Sequence, residues 1–94
     1  MSMRWLWSLG LIVAASAHAV TEIAADTWLV PGATPANAQP DGNSIIIRSN
    51  DGLIVFDTGR HAAHTQEILD FAKAQGVPIT AIINSHWHLD HVGG

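Results

Sequence analysis

The stretch His86-Trp87-His88-Leu89-Asp90-His91 places three imidazoles and one carboxylate within six consecutive residues. That density of metal donors exceeds what folding ordinarily requires, and it outweighs the bland reading of a solvated, histidine-rich loop. Neutral imidazole nitrogen and carboxylate oxygen suit zinc, and also iron or manganese. In an extended or tightly looped backbone His86 and His88 project the same way. Asp90 continues that side, and His91 turns to the other. One short loop can thus offer two ligands to one metal and two to a neighbour. Paired metals about 3.5–4 Å apart form a hydrolytic site with a bridging hydroxide as nucleophile.

Elements upstream must hold this cluster. Glu22 to Val30 reads as a first strand with a turn at Ala25-Asp26. Pro31 to Gly42 is rich in Pro, Gly, Ala and Asn and has no apolar period, so it is a loop. It reads as a plain surface connection, with a flap bordering the metal site as the functional alternative. Ser44–Ser49 and Leu53–Phe56 are strands rich in β-branched residues. Asn50-Asp51-Gly52 joins them as a hairpin, and Asp-Gly predicts positive φ in the turn. Their near-continuous apolar runs predict burial on both faces. His61 to Gln75 reads as a helix with Ile68, Phe71, Ala72 and Gln75 on one face and Leu69 at its edge; Gly76 is the stop and Pro78 prevents continuation. The strand Ile79–Asn84 then completes a right-handed βαβ unit, parallel to Leu53–Phe56. Asp57 and Ser85 both follow carboxyl ends of parallel strands, the usual ligand crevice of open α/β sheets.

Ser85-His86-Trp87-His88-Leu89-Asp90-His91-Val92-Gly93-Gly94 resembles the signature of the metallo-β-lactamase superfamily. Leu53-Ile54-Val55-Phe56-Asp57-Thr58-Gly59 is similar to the strand and Asp-Thr-Gly element that precedes the family's first helix. The resemblance spans residues 21–94 and says little about the substrate. It implies an α/β (α+β sandwich) class, with this chain as the N-terminal part of an αββα fold. It also implies zinc, two ions per full-length protein, with iron or manganese as alternatives. His86 and His88 would bind the first metal and Asp90 and His91 the second, with Asp90 also orienting the attacking hydroxide as the catalytic residue. A third histidine, a bridging carboxylate and a further histidine would lie beyond residue 94. Asp57 is expected to accept the free N–H of a ligating histidine, or to satisfy backbone N–H groups at the start of the helix. Trp87 should point away from the metals, and His61 and His64 read as a solvated helix end.

The implied activity is hydrolysis of an ester, lactone, β-lactam, thioester, or sulfate or phosphate ester by a metal-bound hydroxide. The alternatives are a one-iron redox enzyme of the same fold and a non-catalytic binding protein that retains it. The N-terminus adds a place of work. Arg4, the apolar run Trp5 to Ala15 and the site Ala17-His18-Ala19 read as a signal peptide over residues 1–19, removed before Val20. The apolar run is too short to span a bilayer, so no membrane anchor is expected after cleavage, and the enzyme is periplasmic or secreted. Residues 20–94 would then be an incomplete, N-terminal portion of the domain, too small for a thick core. The formal charge is -4, and Arg48, Arg60 and Lys73 are the only cations after the signal. That excludes a basic patch for nucleic acid and leaves a small molecule as the expected partner. The chain has no cysteine, hence no disulfide within this segment and no thiolate ligand from the residues present.

Overall fold

The computed structural model describes residues 20–94. The expected signal peptide at 1–19 lies outside the described residues. A single five-stranded sheet runs in sequence order: β1 (Thr21–Ala24), β2 (Thr27–Val30), β3 (Ser44–Ser49), β4 (Gly52–Phe56) and β5 (Ile79–Ile83). The first three pairings are antiparallel, and β4 pairs β5 in parallel. The region read as one first strand is a hairpin. Its turn falls at Ala25-Asp26, where Asp26 takes φ +53°.

The β3–β4 hairpin forms where Asn50-Asp51-Gly52 predicted it, with Ser49 opposite Gly52. The positive φ falls on Gly52 (+147°) rather than on the two turn residues before it. Ser49 Oγ donates to the Gly52 carbonyl (3.0 Å) and accepts from Asp51 N–H (3.3 Å), which tightens the turn.

Helix α1 (Ala62–Gln75) connects β4 to β5, and Gly76 closes it in the left-handed region. A residue without Cβ adopts that conformation at no steric cost. The helix lies on the sheet face that carries Val30, Ser44, Ile46, Leu53 and Val55. Those positions alternate along their strands and are all buried. Ile68 and Ala72 meet them. At the margin of this core, Trp28 and Phe71 rings tilt together at 5.0 Å, and Arg48 Nη1 donates to Gln75 Oε1 at 3.2 Å.

Two expectations need correction. β3 and β4 are fully buried on one face only: Ile46, Leu53 and Val55 lie in the core, whereas Ile45, Ile47, Ile54 and Phe56 on the other face are half-buried, so apolar composition did not mean burial on both faces. His64 is not solvated: it is 2% exposed, and its Nε2 lies 2.8 Å from the buried Ser44 Oγ. One helical turn beyond His61, its position faces the sheet rather than water. The last element is α2 (Leu89–Val92), a short helix where the sequence suggested only loop. No helix among the described residues is long and apolar enough to cross a membrane.

Candidate metal centre

The parallel β4 and β5 end side by side, and both chain continuations carry polar groups to the same edge. Asp57 N–H donates to the Ile83 carbonyl (2.9 Å), which extends the ladder one step past β4. Asp57 then takes φ +65°, a left-handed conformation that aspartate tolerates better than most residues. The turn aims its carboxylate at the start of the histidine stretch. Oδ1 accepts Ser85 N–H at 2.7 Å, and Oδ2 accepts Ser85 Oγ–H at 2.7 Å. Oδ2 also lies 2.8 Å from His91 Nδ1. Burial raises the Asp57 pKa, but the donors from Ser85 and then His91 more than offset it, so the carboxyl sits below its ordinary value.

These contacts decide which ring nitrogens carry protons. An ionised carboxylate only accepts, so His91 Nδ1 holds its proton and Nε2 keeps a lone pair in the neutral ring. The single Ser85 hydroxyl proton goes to Asp57. The Ser85 oxygen therefore accepts from His86 Nδ1, 2.8 Å away, and Nε2 of His86 is also left free. One buried carboxylate thus sets the tautomer of two histidines, the second through a serine that sequence reasoning did not single out. A hydroxyl directly before the first histidine, facing a strand-end carboxylate, was the available signal.

His86 and His88 stack edge to face with ring centroids 4.6 Å apart, and His86 and His91 lie at 4.2 Å. His91 therefore stands beside His86 instead of turning to the opposite side. The helical turn from Leu89 brings it round, with His91 N–H donating to the His88 carbonyl at 2.9 Å. Asp90 Oδ2 sits 3.4 Å from His91 Nε2. His86, Trp87 and His88 are exposed, and Asp90 and His91 are half-buried. Trp87 packs against the His88 ring at 4.7 Å. In donor type and proximity the four groups fit zinc. Their rings are not all turned to one point, however: among the described residues no three such groups converge as a ready-made cage.

Asp57 does not serve the start of α1. That task falls to Asp41 at the end of the 31–42 loop, whose Oδ1 accepts Arg60 N–H (2.6 Å) and His61 N–H (2.7 Å). His61 has no side-chain cap bond of its own, and its Nε2 lies 2.6 Å from the Gln39 carbonyl. Next to Asp41, Gly42 N–H donates to the Asp90 carbonyl at 2.7 Å. The loop is thus tied directly to the histidine stretch.

Residues 39–94 match the family model of the metallo-beta-lactamase superfamily. Among curated proteins, the beta-lactamase-like protein 2 homolog of Drosophila melanogaster is 33% identical over 82 residues, which cover 81% of this chain and 27% of that protein. The linear primary-alkylsulfatase of a Pseudomonas strain is 38% identical over 50 residues, 52% of this chain and 10% of that protein. A solved metallo-beta-lactamase from Pseudomonas aeruginosa, in a mono-zinc form, superposes with a TM-score of 0.65 at 26% identity, covering 80% of this chain and 34% of the solved one. The chain therefore spans at most about a third of the length of these relatives. With the βαβ edge, the Asp57 turn and the histidine stretch in place, this chain belongs to the metallo-beta-lactamase superfamily.

Proposed function

We propose that the protein is an exported, zinc-dependent hydrolase that cleaves an ester-like bond in a small molecule. The observation that carries this reading is the 2.8 Å contact of Asp57 Oδ2 with His91 Nδ1. It leaves His91 Nε2 with the lone pair that a metal ion needs, on a ring oriented by a carboxylate. His86 and His88 would hold one zinc, and Asp90 and His91 a second. Zinc held there supplies Lewis acidity and an activated water at neutral pH. Asp90 orients the nucleophile and compensates charge. Asp57 holds the His91 proton at Nδ1, and Ser85 holds that of His86 at its own Nδ1. The solved relative in mono-zinc form favours zinc over iron. The alkylsulfatase among the relatives puts sulfate esters beside lactones, thioesters and β-lactams as substrates to test. Export rests on Arg4, the apolar run and Ala17-His18-Ala19.

The test uses the whole protein. Metal analysis should find two equivalents of zinc, and a panel of sulfate esters, lactones, thioesters and a chromogenic β-lactam should find turnover. Asp90→Asn should lower the metal content and depress kcat by more than the about 10- to 100-fold typical of losing an outer partner. One equivalent of iron, or unchanged turnover and full metal content in Asp90→Asn, would overturn the proposal.

A further inference from the structure

Helix α2 bears two of the proposed ligands and has little packing of its own. It is four residues long, and none of them is buried. Hydrogen bonds hold it from two directions. From the turn after β4, Thr58 N–H donates to the His91 carbonyl (2.9 Å), and the Gly59 carbonyl accepts Gly93 N–H (2.8 Å). From the 31–42 loop, Gly42 N–H donates to the Asp90 carbonyl (2.7 Å). The loop would be a weak anchor were it free, but Asp41 ties it down. Its carboxylate, 8% exposed, accepts Arg60 and His61 N–H, and its own N–H donates to the Ala33 carbonyl at 2.9 Å. The links close a ring: Asp41 to Arg60, along the backbone to Gly59 and Thr58, across to α2, and from Asp90 through Gly42 back to Asp41. Gly42 also sits against the His91 ring. A Cβ at this position would stand 2.6 Å from His91 Cε1, 2.7 Å from Nε2 and 2.8 Å from the Asp90 carbonyl oxygen.

We propose that Asp41 and Gly42 are positioning residues that set the Asp90–His91 pair, and with it the second metal position, while the His86 ring is held by Ser85. The proposal rests on the functional reading above. Its physical basis is that His86 precedes α2 and its ring is held from Asp57 through Ser85, outside the hydrogen-bonded ring that runs through Asp41 and Gly42. Gly42 has no side chain because His91 Nε2, the nitrogen left free for metal, occupies that space. Asp41 keeps Gly42 there by fastening the loop to the start of α1.

The experiment titrates the whole, metal-stripped protein with zinc against a chromophoric chelator. The step lost in Asp90→Asn marks the second position. Gly42→Ala and Asp41→Ala should weaken that step by about 10- to 100-fold, the range for losing a group that orients a ligand, and leave the other step unchanged. Asp41→Asn keeps an acceptor oxygen and should recover most of the affinity. Thermal melts monitor the fold; should Asp41→Ala fail to fold, Gly42→Ala and Asp41→Asn decide. Side-chain NMR of the metal-free protein gives a second readout: in Gly42→Ala the His91 signals should move most, and those of His86, whose ring lies 4.2 Å away, by less. Equal loss at both steps, no loss at either, or an unmoved His91 would overturn the proposal. If the wild type takes up no zinc, the functional reading fails, and the His91 shift alone decides the role of Asp41 and Gly42.

Discussion

Asp57 Oδ2 and His91 Nδ1 stand 2.8 Å apart although 34 residues separate them in the chain. The contact joins the turn after β4 to helix α2. It selects one of the two neutral tautomers of His91 and so leaves Nε2 as the free nitrogen. Asp57→Asn removes the charge that holds this tautomer. Metal affinity should fall by about 10- to 100-fold, with little loss of secondary structure. Zinc competition and nitrogen NMR of the histidine rings check this, and an unchanged His91 tautomer would refute it.

Asp41 predicts the acid limb of stability. Burial pushes its pKa up, but the N–H groups of His61 and Arg60, then the nearby His64 and His61 rings, more than offset this, so the net shift is downward. A carboxylate with a depressed folded pKa stabilises the fold fully above its unfolded pKa of about 3.9. That contribution is lost as pH falls from there through the lower folded value. Denaturant unfolding of the whole protein across this window should show a flatter acid limb for Asp41→Asn than for wild type. Parallel curves would refute the assignment.

Ser44→Ala removes the hydroxyl that meets His64 Nε2 at 2.8 Å in a buried setting. The imidazole nitrogen would lose a partner away from water, at a cost of about 1–3 kcal/mol. Urea unfolding measures it. A neutral result would mean that His64 finds another partner at no cost.

Gly59→Ala tests the turn between Asp57 and α1. Gly59 has φ +79°, and a Cβ there would meet His64 Cδ2 at 2.4 Å. Left-handed strain and overpacking together should cost about 2–4 kcal/mol. A change in Tm within the error of calorimetry would show that the turn relaxes freely.

The sequence by itself determined the local elements and the chemistry at the sheet edge. Asn50-Asp51-Gly52 marked the β3–β4 hairpin, Gly76 and Pro78 marked the end of α1, and the density of donors marked His86 to His91. These signals are short-range: turn residues, a helix stop and a run of one side-chain type act on their own neighbours. Tertiary structure decided what those signals could not reach. Its place at the start of the helix read His64 as solvated, because sequence does not show that Ser44 lies opposite α1 and meets the buried imidazole. Apolar composition read β3 and β4 as covered on both faces, because composition does not say which face α1 covers. Asp41 carried no motif. Its role exists only because the loop folds back over the first turn of α1, 20 residues away in sequence from His61, and seats Gly42 against His91. The alternation of an extended chain placed His91 away from His86, whereas a four-residue helix, held from outside by Thr58, Gly59 and Gly42, brings the two rings to 4.2 Å.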